Sequence, residues 1–250
     1  MTEPILEVCC GDVDSVRAAV EGGAYRVELC SGLAEGGFTP SVALINAAMR
    51  YSAQIKINVL IRPRGGDFLY SDEEKKIMLH DARTAADAGV NGVVCGALMP
   101  DGSIDVEFCR KLAASCPGVE ITFHRAFDLC SDPLKALDDI INAGFHRVLT
   151  SGQAQTALEG VSVLRQLTEH ASGRLAILAG GGVNPSNAAE IIRLGGVREL
   201  HASARASVGS RMEYRRPGVS MGVPGADEYS RLTTSPELVR QIVHAIKSDI

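Results

Sequence analysis

The chain has 250 residues, of which 46% are apolar and 22% charged, and its formal net charge is −5. This composition predicts a globular protein with a large core, and it lacks the broad basic field that would favour nucleic acid as a partner. The first residues carry none of the basic side chains of a signal peptide, and no apolar run approaches the roughly 18 residues of a membrane helix, so we expect no membrane partner.

Short apolar segments alternate with helical patterns along the chain. Four predicted strands lie at residues 5–9, 55–61, 119–124 and 175–180. Between them, four further strands each begin about three residues after a glycine that ends a helical pattern, namely Gly23, Gly89, Gly144 and Gly196. Helices are predicted to begin at Thr39–Pro40, at a capping box of Ser71 and Glu74, at Asp132–Pro133, at Asn184–Pro185 and at Ser235.

Strands that are separated by helices run parallel, and eight such units in about 200 residues predict an α/β fold of the closed (β/α)8, or TIM, barrel type. We predict a single barrel domain over residues 1–250. After the eighth strand, a long polar loop is expected at about residues 204–234, before the last helix.

The alternation of side chains along a strand predicts which residues enter the barrel. When the apolar positions face the helices, one set of charged side chains faces inward: Glu7, Glu28, Lys56, Arg62, His124, Glu199 and His201. Buried charges must pair, so a purely structural network of salt bridges explains the deeper groups, Glu7, Glu28 and Lys56, as well as a functional site does. The groups at the carboxyl ends of strands lie where barrel enzymes bind their substrates, and there we favour function.

Two thiols end neighbouring strands on the inward side. Cys9 and Cys30 have inward parity, whereas Cys10 has the opposite parity. Adjacent strands lie roughly 5 Å apart, so the two thiols can jointly hold a soft ion such as Cu(I). The alternative is that they are small apolar fillers. The chain has seven cysteines, an odd number, and we expect reduced thiols in the cytoplasm.

The loops after strands 6 and 7 predict an anion site at the same end of the barrel. They contain hydroxyls and glycines ahead of helix starts, at Thr150, Ser151, Gly180, Gly181 and Gly182. Arg62 and Arg125 are suited to a carboxylate or a phosphate, and His124 is a candidate acid or base near neutral pH. The inward end of strand 6 has no lysine for a Schiff base, and no acidic cluster has the spacing of a hard-cation site.

Seven ordered blocks resemble the CutC family, named for copper homeostasis: LEVCC, RVELCSGLAEGGFTPS, IRPRGGDFLYSDEE, TFHRAFD, RVLTSGQ, AGGGV and SMGVPGADEYSR. The resemblance implies a (β/α)8 barrel and at least a homodimer. It also implies copper binding by cysteines of the first two blocks, which fall on Cys9 and Cys30. The doublet Cys9–Cys10 departs from a single cysteine, so the choice of ligand there depends on strand parity. The resemblance implies no particular reaction.

Two hypotheses follow. The first is a cytoplasmic copper homeostasis protein that binds Cu(I) through Cys9 and Cys30, and not through Cys109, Cys116 or Cys130. The second is a barrel enzyme for a small anionic or phosphorylated metabolite, with Arg62, His124 and His201 as catalytic candidates. The predicted ligand-binding set is Glu7, Glu28, Arg62, His124, Arg125, Thr150, Ser151, Gly180, Gly181, Gly182 and His201.

Overall fold

A computed structural model describes residues 3–216, 218–219, 221 and 227–248. Eight parallel strands form a closed barrel in sequence order, which confirms the predicted fold. The barrel strands are β1 (Ile5–Cys10), β2 (Arg26–Leu29), β3 (Lys56–Leu60), β4 (Gly92–Cys95), β5 (Glu120–Phe123), β6 (Arg147–Thr150), β7 (Ala176–Gly180) and β8 (Glu199–Ala202).

Helices surround the barrel and bury their apolar faces against it. They are α1 (Val13–Gly22), α2 (Val42–Ala48), α3 (Asp72–Asp87), α4 (Val106–Ser115), α5 (Pro133–Asn142), α6 (Val161–Ala171), α7 (Ala188–Gly195) and α8 (Pro236–Ser248). The helix-facing strand residues, such as Val8 and Ile57, are fully buried. This layer between sheet and helices is the main apolar core, and it leaves the barrel interior for polar groups.

Local signals placed most helix ends correctly. Ser71 and Glu74 form the predicted capping box, and Asp132 caps α5. Gly23, Gly89, Gly144 and Gly196 all adopt positive φ, between 67° and 88°, as expected for residues that end helices.

Two predicted helix starts were wrong. Ser41 caps α2, because the hydroxyl of Thr39 accepts a hydrogen bond from the backbone of Arg62 at 3.0 Å. Asn187 precedes α7, because Asn184 forms a turn in which its side chain accepts from the Ser186 amide at 2.9 Å. In both cases a polar side chain serves a loop rather than a helix.

The segment predicted as a polar loop at 204–234 contains two antiparallel strands, β9 (Arg205–Gly209) and β10 (Ser230–Thr234). The hydroxyls of Ser15 in α1 and Thr233 lie 3.1 Å apart, so this ribbon contacts the barrel wall near α1. Residues 217, 220 and 222–226 of the predicted loop lie outside the described residues. The assignment of the whole chain to one domain stays a prediction.

Candidate functional site

An ion-pair network occupies the lower barrel interior. Glu7 lies between Arg26 of β2 and His201 of β8 in the strand register, and Arg26 donates to its carboxylate. Arg26 also bonds Glu199 at 2.6 Å, and Arg147 bonds Glu199 at 2.5 Å. The sequence analysis missed both arginines. The signal was present for Arg26, which stands two residues before Glu28 and so shares its inward parity.

Lys56, predicted to lie inside the barrel at mid-height, does not belong to this network. Its side chain is 41% exposed at the amino-terminal end of β3, 3.9 Å from Glu120. As the first residue of its strand, it lies where the barrel opens to solvent. The buried cation next to Glu7 is Arg26 instead, whose side chain is 1% exposed.

Above this network, His201 connects the ion pairs to the thiols. Its Nδ1 lies 2.8 Å from Glu7 Oε1, and its Nε2 lies 3.7 Å from Glu28 Oε2. Burial opposes a charge on this imidazole, but the bonds to Cys9 and Glu7 and the nearby Glu28 raise the pKa of His201 well above its ordinary value. Burial likewise opposes ionisation of Glu7, and Arg26 with His201 outweighs it and lowers the pKa of Glu7.

Cys9 and Cys30 face each other at the carboxyl ends of β1 and β2. Their Sγ atoms lie 3.7 Å apart. Cys9 is partly exposed and Cys30 is buried. Cys10 points into the layer between sheet and helices, where its Sγ lies 4.0 Å from the Thr234 hydroxyl. The predicted parity of the doublet therefore agrees with the structure, and Cys9 is the member of the doublet that faces inward.

The two thiols share one readily lost proton. A hydrogen bond from Cys30 lowers the pKa of Cys9 to about 5, with further help from His201 and against the effect of burial. The pKa of Cys30 is raised well above its ordinary value, first by its bond to Cys9 and then by burial. Burial and the negative charges of Cys9 and Glu7 raise the pKa of Glu28 to about 8, although His201 opposes them. At neutral pH the pocket thus holds a thiolate beside an imidazolium.

Cys9, Glu28 and Cys30 offer a potential metal-binding group, because their ligand atoms all lie within 4.8 Å of one another. Thiolates are ligands for soft cations, and a carboxylate oxygen can complete such a site. The donor set suits Cu(I) or Zn²⁺ better than Mg²⁺ or Ca²⁺, which prefer oxygen ligands throughout.

A cavity of about 270 Å³ opens beside the thiols at the carboxyl ends of the strands. Its polar lining is Cys9, Glu28, Arg62, His124, Arg125 and His201, and its apolar lining is Leu60, Phe68 and Leu149. A larger cavity of about 560 Å³ lies at the opposite, amino-terminal end, among residues that include Pro4, Tyr25 and Lys56. We place the functional site at the smaller cavity, because only its lining combines a thiol, carboxylate and imidazoles.

His124 lines the cavity but does not suit proton transfer near neutral pH. Its Nδ1 accepts a hydrogen bond from the Ala126 amide at 3.2 Å. Burial and the adjacent charge of Arg62 lower the pKa of His124 to about 3. The imidazole is therefore neutral, with its proton on Nε2, and the sequence-based role as acid or base fits His201 better.

Arg62 is held by loops rather than left free for a ligand. Its Nη1 donates to the carbonyls of Glu35 at 3.0 Å and Gly37 at 2.9 Å, and its Nη2 donates to Gly66 at 3.1 Å. Its Nε is buried without a hydrogen-bond partner among the described residues. The predicted anion anchor thus clamps two loops over the mouth of the barrel and has one N–H left.

The strand 6 loop already has an anionic partner within the protein. The Thr150 hydroxyl and the Ser151 and Gln153 amides all donate to the carboxylate of Asp128. Arg125 bonds the same carboxylate at 2.7 Å. Thr150 and Ser151 are fully buried, so an external anion does not reach them while Asp128 keeps its place.

The strand 7 glycines lie beside this loop. The carbonyl of Gly181 accepts from the Ala157 amide at 2.9 Å, and that of Gly182 accepts from Asn184 and Asn187, at 3.0 Å each. Gly180 packs against Leu149 and His201. Of the predicted anion-binding residues around these two loops, only Arg125 lines the cavity.

Comparison with known proteins places this barrel among its relatives. The model of the CutC family matches residues 4–206. The chain belongs to the CutC family. It is 49% identical to a family protein CutC of Chromobacterium violaceum, over 98% of each chain, and 46% identical to the copper homeostasis protein cutC homolog of Mus musculus, over 98% of this chain and 90% of the mouse protein. A solved CutC structure from Streptococcus agalactiae covers 80% of this chain and 98% of its own, with 34% identity and a TM-score of 0.77.

Family membership confirms the resemblance found in the sequence. The last block of that resemblance, at 220–231, lies beyond the matched residues and partly outside the described ones. In the part of the chain that the structure describes, no helix has the length and apolarity to cross a membrane.

Proposed function

We propose that this CutC family member binds Cu(I) as its cargo through Cys9 and Cys30. The observation that carries the proposal is the pair of inward thiols, 3.7 Å apart, with one of them partly exposed to the cavity. A cytoplasmic location belongs to the same proposal, because thiols stay reduced there and Cu(I) is the soft ion that they select. A homo-oligomer, with no nucleic acid as partner, remains our expectation.

The sulfur positions suit a bridging ion with one more ligand. With metal–sulfur bonds of about 2.3 Å, as in zinc thiolate sites, sulfurs 3.7 Å apart subtend an angle of about 110° at the metal. A linear two-thiolate complex would need the sulfurs about 4.6 Å apart with the same bond lengths. Glu28, within 4.8 Å of both sulfurs, is placed to be the third ligand.

The backbone favours a metal bridge over a disulfide. Cys9 pairs with Glu28 across the two strands, so Cys30 lies two residues further along β2. A rise of about 3.3 Å per residue and a strand spacing of about 4.8 Å place the two Cα atoms about 8 Å apart. Disulfides need about 7 Å or less, so this pair would have to move its backbone to form one.

A competition titration against a Cu(I) chelator under reducing conditions tests the proposal. We expect one Cu(I) per chain in the wild type and loss of this site in Cys9→Ser/Cys30→Ser. Cys130→Ser is the matched control, because Cys130 is a loop thiol that does not line the cavity. An unchanged stoichiometry and affinity in the double variant would exclude this site.

A second candidate function is supported by the cavity beside the thiols. Arg62 Nε and His124 Nε2 are both buried without a hydrogen-bond partner among the described residues, and both side chains line the cavity. An unpaired buried donor costs about 1–3 kcal/mol, which a bound acceptor would recover. We therefore propose as the alternative an enzyme for a small anionic or phosphorylated metabolite, with His201 rather than His124 as the proton-handling group.

Thermal unfolding with a panel of phosphorylated and carboxylated metabolites tests this alternative. A ligand at 100 times its dissociation constant adds about 2.7 kcal/mol to the free energy of unfolding, which raises the Tm of a chain of this size by about 5–11 °C. Arg125→Gln, at a half-exposed position that lines the cavity, should reduce that shift. If no compound shifts the wild type more than it shifts this variant, the alternative fails.

A further inference from the structure

The thiol pair has a second histidine-and-carboxylate half. Glu28 Oε2 lies 3.7 Å from His201 Nε2, and both side chains face the same cavity as Cys9. Two sulfurs, one carboxylate oxygen and one imidazole nitrogen therefore surround one point in the barrel mouth. Four donors of these types are the usual surroundings of a tetrahedral zinc ion.

Glu7 holds His201 in the orientation that a metal needs. Its Oε1 lies 2.8 Å from His201 Nδ1, which assigns the Nδ1 proton to this bond and turns Nε2 towards Cys9 and Glu28. Glu7 is itself fixed by Arg26 in the ion-pair network below. Metal-binding histidines characteristically donate their other ring N–H to a carboxylate in this way.

The sulfur separation fits a tetrahedral ion. Zinc–sulfur bonds of about 2.3 Å at the tetrahedral angle place two sulfurs about 3.8 Å apart, and the observed separation is 3.7 Å. The site can therefore accept such an ion with little displacement of its thiols.

Charge also favours a divalent ion. With both thiols and Glu28 ionised and His201 neutral, the four donors carry three negative charges inside the barrel. A monovalent ion leaves two of these charges uncompensated and a divalent ion leaves one. Uncompensated charge in a buried site is costly, so the full donor set suits a 2+ ion.

We propose that the same pocket binds Zn²⁺ in a tetrahedral site formed by Cys9, Glu28, Cys30 and His201, with Glu7 as the positioning residue. Zinc is a different ion from the proposed Cu(I) cargo and uses two donors that the copper proposal does not require. The zinc site deepens the proposed function only in sharing its two thiols. A Cu(I) titration run in parallel separates the failure of one proposal from the failure of the other.

Competition for Zn²⁺ with a chromophoric chelator at pH 7 measures the site. We expect one Zn²⁺ per chain, and at least 10-fold weaker binding in Glu28→Gln and in His201→Gln. Glu190→Gln, at a surface position, is the matched control and should bind as the wild type does. Wild-type zinc affinity in both variants, or no zinc uptake while Cu(I) still binds, would overturn the proposal.

Co²⁺ loading of the wild type gives a second measurement that does not depend on the folding of any variant. A tetrahedral site with two thiolates gives intense visible bands and a thiolate-to-metal charge-transfer band in the near ultraviolet. We expect both in the wild type, and loss of the charge-transfer band in Cys9→Ser/Cys30→Ser. A weak octahedral spectrum without charge transfer would contradict the four-donor site.

Discussion

Replacing Cys30 with alanine should return Cys9 to the behaviour of an ordinary thiol. The hydrogen bond from Cys30 is the largest of the effects that lower the pKa of Cys9 to about 5. Alanine removes that donor and leaves His201 in place. His201→Gln removes the second contribution and keeps the size of the side chain close to that of histidine. Both changes should raise the pKa of Cys9, and Cys30→Ala should raise it more.

The expected magnitude follows from the thiolate fraction, because the thiolate is the reactive form of cysteine. With a pKa of about 5, Cys9 is already about 90% ionised at pH 6, so its alkylation rate is nearly constant from pH 6 to 8. With the ordinary value of 9.0, the ionised fraction and the rate rise about 90-fold over the same range. The slope of rate against pH therefore distinguishes the two states without knowledge of how burial slows the reagent.

The assay is alkylation of the metal-free protein by iodoacetamide, with the modified residue identified by mass spectrometry. Cys130→Ser serves as the background control, because it leaves the thiol pair intact. Wild type should show a flat profile for Cys9, and Cys30→Ala should show a rising one. A rate for wild-type Cys9 that increases more than about 10-fold between pH 6 and 8 would refute the thiolate assignment.

Two further predictions concern the interior charges of the metal-free protein. Arg26→Met leaves Glu7 and Glu199 without a shared buried cation and should lower the free energy of unfolding in urea by about 3–5 kcal/mol. Lys56→Met, at an exposed pair, should cost no more than about 1 kcal/mol, and equal losses would contradict the network. The pKa of Glu28 rises on folding from 4.5 to about 8, so the folded state binds more protons and loses stability as pH rises through that window. Glu28→Gln should reduce that loss in denaturation curves taken at pH 5 and 8, and an unchanged difference would disprove the assignment.

Local signals predicted the fold because the barrel is built from them. A glycine with positive φ ends the helix before each even-numbered barrel strand, and this requirement is visible in the sequence as Gly23, Gly89, Gly144 and Gly196. The β9–β10 ribbon was missed for the opposite reason. Its strands pair Arg205 with Thr234, almost thirty residues apart, and no short turn between them gives a local signal.

Strand parity was enough to gather the thiols, Glu28 and His201 at one place, because a one-residue rule governs which face each side chain enters. Parity also applied to Arg26, but a charged residue at the start of a strand was interpreted as a surface residue. In the structure it is buried against Glu7, and the carboxylate needs it there.

The state of the loop residues could not be predicted from their types. Arg62 was assigned to an anion from its chemistry, but three carbonyls from distant positions occupy its guanidinium. The protonation of His124 depends on its burial and on that same arginine. Asp128 fills the backbone amides after β6, which from sequence alone resembled an open anion site. Each outcome depends on tertiary contacts that sequence spacing does not encode.

The measurement that tests the central claim most directly is X-ray absorption at the copper edge of the protein loaded with one Cu(I). We predict two sulfur scatterers in the first shell, from Cys9 and Cys30, with or without one oxygen or nitrogen ligand. Cys9→Ser/Cys30→Ser should lose this sulfur shell, and Cys130→Ser should keep it. A first shell of oxygen and nitrogen alone in the wild type, or the same sulfur shell in the double variant, would contradict the assignment of this site.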